Sequence, residues 1–172
     1  MDETDTAELT ALAACHREVV AIIEMIPEAA LDWRPGEGEW SLKQTIGHIA
    51  HAYDFYITIV EEARAQGFGA VKLHAEIPGY RRMLATDAEV AQCATRAAIL
   101  DRLNQAYQQA LAVLQGIAPE ELDRPFVFYR WQSEPEPVTT TLRRRVLQTA
   151  IEHLREHRAH LAETLELWRG GG

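Results

Sequence analysis

The sequence predicts an all-α protein, a four-helix bundle. Two observations point there. Apolar residues recur at alternating three- and four-residue steps along nearly the whole 172-residue chain, the period of one helix face. The chain also echoes itself: the segment from Ile26 to Pro35 (IPEAALDWRP) resembles that from Ile117 to Pro125 (IAPEELDRP). Each follows a long helical pattern and precedes a loop with a tryptophan, Trp40 or Trp131, and then another long pattern. Two such hairpins cannot bury their own stripes and must pack on each other.

The first helix is expected from Glu3 to Ile26, with Leu9, Leu12, His16, Val19, Ile23 and Ile26 on its buried face. Pro27 opens a short segment that the run Pro35-Gly36-Glu37-Gly38 interrupts. Ser41 with Gln44 three residues on forms a capping box, so the second helix should run from Leu42 to Gln66 and stop at Gly67 and Gly69. Its stripe is Leu42, Ile46, Ile49, Tyr53, Tyr56 and Val60. Residues 68–85 read as a connection with one helical turn near Arg81. Thr86 to Glu89 looks like a second capping box, which starts a third helix closing near Gly116. Its stripe includes Val90, Ala94, Ala97, Leu103, Tyr107, Ala110 and Leu114. Four prolines (119, 125, 135 and 137) exclude a long helix from Pro119 to Val138, although Phe126 to Tyr129 suits a short strand. Thr139 to Thr141 cap a fourth helix ending near Trp168.

Length favours a single domain over residues 1–172. A formal net charge of −9 argues against a nucleic-acid partner, which demands clustered Lys and Arg. The apolar runs fall far short of a bilayer span, so no membrane partner is expected. The N-terminus, Met1-Asp2-Glu3, is acidic where a signal peptide would be basic. Cys15 and Cys93 form no disulfide framework, which suits the reducing cytoplasm.

Chemistry concentrates in the histidines. His48 borders the second helix's apolar stripe, whereas His51 falls on a more polar row. His153 and His157 are four apart and stack on one face of the fourth helix. Two imidazoles at that spacing reach one metal ion. His48 from a facing helix would complete a three-nitrogen set with open positions, the ligand count of a catalytic rather than a structural site. The same spacing equally fits solvated helix faces. Glu-x-x-His, His-Glu-x-x-His, Gly-x-Ser-x-Gly and phosphate-loop motifs are absent from the sequence.

Trp40 to Ile49 (WSLKQTIGHI), followed by His153-x-x-x-His157-Arg158, resembles the DinB/YfiT-like metalloenzyme superfamily. The resemblance implies a four-helix bundle with long crossover connections, often a homodimer. It implies a divalent ion, zinc or nickel, held by His48, His153 and His157. Many members continue with Arg-Gly-Gln after the last ligand, whereas Arg158-Ala159-His160 stands here, making His160 a rival. His51 and His16 are further candidates to join or replace a ligand. Relatives include enzymes that transfer low-molecular-weight thiols, so the implied function is metal-dependent hydrolysis or thiol S-transfer on a small-molecule substrate. The alternative is a non-catalytic, stress-related dimeric bundle that binds a metal or ligand.

Other residues receive structural readings. His16 suits a hydrogen-bonded core histidine, His74 an exposed one, and Cys93 a small buried group. Asp54 and Glu156 read as solvated charges or as acceptors behind a ligand imidazole. Arg143, Arg144 and Arg145 suit surface ion pairs or an anionic substrate. The four tryptophans (Trp33, Trp40, Trp131 and Trp168) read as packing anchors.

Overall fold

The computed structural model describes residues 3–74, 76–129 and 136–171. Helix α1 spans Glu3–Glu24, and all of its expected stripe residues are buried. After Pro27 a single 3-10 turn, Glu28–Ala30, leads into the loop before α2, Leu42–Ala65. The Ser41–Gln44 capping box is present: Gln44 N donates to Ser41 Oγ at 3.2 Å, and Ser41 N donates to Gln44 Oε1 at 3.0 Å. Gly67, at φ +58°, turns the chain away from α2 in a conformation that favours glycine.

Helix α2 occupies the centre of the fold. It packs against the crossover helix α3 (Pro78–Gln92), against α4 (Arg96–Gln115) and against α6 (Thr149–Gly170). Consequently more than one stripe is buried: Ala50, Asp54, Ile57, Thr58 and Ile59 join the expected residues. Helix α1 packs on α6 and α4, which completes a bundle of α1, α2, α4 and α6. The four-residue helix α5, Pro119–Leu122, repeats the turn after Pro27, and the two leucines of the internal echo, Leu31 and Leu122, are both buried.

The connection between the second and third long helices is more structured than expected. Strand β1, Ala70–Lys72, precedes α3, whose first turn begins at Pro78. The expected continuous third helix is instead two. Cys93 is extended (φ −63°, ψ 124°), and Thr95 Oγ1 accepts from Ala98 N at 3.2 Å to start α4. Thr86 lies inside α3 and caps nothing. Ala94 and Ala97 therefore face solvent, while Ile99 takes the core position.

Phe126–Tyr129 is the strand β2. It lies between β1 and β3, Val138–Thr140, parallel to the first (Val71 opposite Phe128) and antiparallel to the second (Val127 opposite Thr139). Its inward side chains, Phe126 and Phe128, are buried with Val71. Trp131 falls outside the described residues. The fourth long helix begins as a π-helical turn, Arg143–Gln148, before continuing as α6. Thr141 caps it, its Oγ1 accepting from Arg144 N at 3.2 Å.

Candidate metal centre

Helix α2 and helix α6 meet along part of their length, and that contact brings three imidazoles together. His153 Nε2 lies 3.0 Å from His48 Nε2 and 3.0 Å from His157 Nε2. One ring nitrogen from each of the three lies within 4.8 Å of the other two, and all three residues are half-buried. The four-residue spacing of His153 and His157 puts their ring centroids 4.3 Å apart, and His48 stands 5.0 Å and 4.9 Å from them.

Burial and the neighbouring imidazoles push His153 down to about 3, and the same two causes push His157 down to about 4. Both rings are therefore neutral at physiological pH, the form that offers a lone pair to a cation. His157 Nδ1 is buried without a hydrogen-bond partner among the described residues.

The rival histidines lie elsewhere. The His160 ring is 6.4 Å from that of His157, and His51 is 6.3 Å from His48; neither supplies a nitrogen to the cluster. His16 sits deep in the bundle, 4% exposed, with Nδ1 2.8 Å from the Tyr53 hydroxyl and Nε2 2.9 Å from Asn104 Oδ1. An amide oxygen only accepts, so Nε2 carries the proton and Nδ1 accepts from Tyr53. It is a hydrogen-bonded core histidine, stacked on Tyr107 at 3.8 Å.

Asp54 departs from the solvated reading. It is fully buried, with Oδ1 3.3 Å from Arg82 Nε, Oδ2 4.0 Å from Arg102 Nη2, and the Thr86 hydroxyl donating to Oδ2. It faces α3 and α4 rather than the imidazoles, because each helix supplies an arginine there. Glu156 is exposed, as is His74. Cys93 is only half-buried, its thiol directed to Glu89 O at 3.3 Å. Arg143 bridges Glu8 at 2.6 Å and Asp123 at 2.8 Å, and Arg144 meets Glu152 at 2.7 Å. Arg145 instead lies over the Phe128 ring at 4.2 Å.

Trp40 is no buried anchor. It is 42% exposed, its ring 4.9 Å from that of His48, and the two line a cavity of about 750 Å³. Lys43 and Arg34 line the same cavity, a placement for which the sequence offers no signal, since both belong to the polar loop and first turn before the histidine. No helix among the described residues is long and apolar enough to cross a membrane.

Solved structures share this fold. YfiT from Bacillus subtilis, described as a probable metal-dependent hydrolase with an unusual four-helix bundle topology, matches at a TM-score of 0.69 and 17% identity. The match covers 95% of this chain and 87% of that one. A DinB-like protein from Bacillus subtilis matches at 0.59 and 15%, over 96% and 93%. The colibactin self-resistance protein ClbS, solved with a dsDNA, matches at 0.64 and 12%, over 92% and 94%. At these identities the likeness is one of fold. A comparison with curated proteins finds none that matches. The family model of the DinB superfamily matches residues 11–161, and the chain belongs to that superfamily.

Proposed function

We propose that the protein is a metal-dependent enzyme, a hydrolase or a low-molecular-weight-thiol S-transferase, in which His48, His153 and His157 hold one divalent ion. The observation that carries this reading is the convergence of three Nε2 atoms. A neutral imidazole has one N–H and one lone pair, so His153 Nε2 can serve only one of its two facing nitrogens well. A single cation takes all three lone pairs at once. Tetrahedral zinc with nitrogens at ~2.0–2.1 Å spaces its ligands about 3.3 Å apart, close to the 3.0 Å contacts here.

Three protein donors leave coordination positions open, the arrangement of catalytic sites. When bound, the ion supplies the Lewis acidity that readies a water molecule or a thiol for attack. The chain's own part is to hold His153 and His157 neutral by burial, fix the angles of all three donors from two helices, and admit substrate through the cavity beside His48. Imidazole ligands suit several metals; the family resemblance favours zinc or nickel. The same reading takes residues 1–172 as one domain of a cytoplasmic homodimer. The dsDNA seen with ClbS does not carry over readily. The net charge is −9, and Arg143 and Arg144 are already engaged by carboxylates.

Elemental analysis of the purified protein tests the site. Roughly one metal per chain is expected, lost in His48→Ala and in His153→Ala. Equal, substoichiometric metal in all three would sink the assignment. Product formation from an ester panel, or from thiols with electrophiles, then separates the enzyme from the alternative. Turnover lost in His157→Ala supports catalysis; a full metal complement with no turnover of either panel supports the non-catalytic bundle.

A further inference from the structure

The cavity beside His48 has a chemical character of its own. Its volume of about 750 Å³ is that of a small-molecule site. One wall is apolar and open: Trp40 is 42% exposed, and Leu84, on the crossover helix α3, is 50% exposed. Large apolar side chains left to water around a concavity are the usual mark of a ligand's apolar body. Ala88 and Ala91 on the same helix keep that wall low, leaving room against the indole.

The opposite character comes from two cations. Lys43 is only 13% exposed, and its ammonium pairs with Asp32 alone among the described residues, at 2.9 Å to Oδ1. Asp32 is 79% exposed, so water screens that carboxylate strongly and its hold on the lysine is weak. Arg34 donates one hydrogen bond, from Nη1 to Glu39 O at 3.1 Å. Its other N–H groups have no protein partner among the described residues. The backbone offers an anion little. Around the start of α2, Lys43 N donates to Leu31 O, Gln44 N to Ser41 Oγ, and Thr45 N to Ser41 O. Two cations and the single carboxylate of Asp32 therefore line a cavity with one apolar wall, in a chain whose net charge is −9.

We propose that this cavity selects small organic anions, with a carboxylate or similar group held by Lys43 and Arg34 and an apolar or aromatic body laid against Trp40 and Leu84. As a statement about substrate class it rests on the reading of His48 as part of the reactive centre. Asp32 acts as a placeholder that the ligand's anionic group displaces from Lys43. The crossover helix α3, which lies outside the four long helices of the bundle, supplies the apolar wall and so sets the size of the body.

Calorimetric titration of the chelator-treated full chain tests this with 3-phenylpropanoate and 3-phenylpropanamide, which share a body and differ in charge. Removing metal beforehand ensures that a carboxylate preference reports on Lys43 and Arg34 rather than on an ion. The acid should bind at least about tenfold more tightly than the amide, as a charge-assisted contact requires. Lys43→Gln with Arg34→Gln should bring the two ligands level, and Trp40→Ala should weaken both alike. Asp32→Asn should tighten the acid and leave the amide unchanged, a gain that misfolding cannot mimic. Equal binding of acid and amide to the unaltered chain overturns the proposal. So does a preference that survives the double substitution, or an Asp32→Asn chain with no gain. Metal stoichiometry is read separately, so a failed metal site and a failed anion site give different results.

Discussion

Gly79 and Thr58 are in direct contact: a Cβ on residue 79 would lie 2.1 Å from Thr58 Oγ1 and 2.4 Å from its Cγ2. Thr58 has no freedom to yield. Its hydroxyl donates to Asp54 O at 2.7 Å and accepts from Arg82 Nη2 at 3.3 Å. The crossover helix α3 can therefore lie on α2 only because residue 79 has no side chain. Gly79→Ala should destabilise the protein by about 1–3 kcal/mol, the range for an overfilled contact. Urea unfolding measures the loss, and amide exchange should show it concentrated in α3. An unchanged midpoint would mean that α3 docks with slack.

Asp54 ties the same region together electrostatically, with Arg82 from α3 and Arg102 from α4 sharing one buried carboxylate. Removing that carboxylate takes away the buried counter-charge and leaves each guanidinium only an exposed one, Glu61 for Arg82 at 3.0 Å and Glu89 for Arg102 at 2.5 Å. Those remaining pairs, and the partial exposure of both arginines, moderate the effect. Asp54→Ala should cost about 3 kcal/mol, at the lower end of the range for breaking a buried pair. Asp32→Ala, at an exposed pair, should cost about 0.5 kcal/mol or less. Urea midpoints that fail to separate the two variants would show that Asp54 is not energetically buried.

Local signals were legible and non-local ones were not. The α1 stripe and the Ser41–Gln44 box depend on residues within a few positions of each other, and both stand as read. Thr86 to Glu89 carries the same signature, but the Thr86 hydroxyl is engaged by Asp54 and Arg102, which lie on other helices. The real cap, Thr95, lacks an acid three residues later and so gave no box to read. Strand β1 pairs with β2 across more than fifty residues, a partnership that no local window contains. The histidines divide in the same way. Spacing shows that His153 and His157 share a face, but only the contact of α2 with α6 brings His48 to them.

His160 separates the candidate site from its rival. Its ring is 6.4 Å from that of His157, and it contributes no nitrogen to the cluster. His160→Ala should keep the metal content of the unaltered protein, whereas His153→Ala should lose most of it. Metal analysis of the two variants, side by side, decides. Loss in His160→Ala with retention in His153→Ala would transfer the site to the pair His157 and His160.

Tyr53 and Asn104 satisfy both nitrogens of His16 in the bundle interior. Tyr53→Phe keeps the ring's packing and leaves Nδ1 without its donor, so it should cost about 1–2 kcal/mol. Metal content should not change, because His16 is separate from the three-imidazole cluster. A joint loss of stability and metal would mean that the core network positions the ligands after all.

The depressed imidazoles give the metal-free protein a defined acid sensitivity. Burial, opposed in part by the Asn104 hydrogen bond, also lowers His16 from its ordinary 6.5. With His153 down to about 3 and His157 to about 4, the folded chain resists protons that the unfolded chain accepts near 6.5. The unfolded state therefore binds more protons between those values, and stability must fall as pH drops through that window. Above it the contribution is complete and flat. Urea midpoints of the chelator-treated protein should decline from about pH 7 to about pH 4.5, and His153→Gln with His157→Gln should flatten the decline. With zinc present the decline should be steeper, because each proton gained by a ligand also competes with the ion. A midpoint that rose on acidification would contradict the burial of these rings, and with it the reason they are neutral and able to bind a cation.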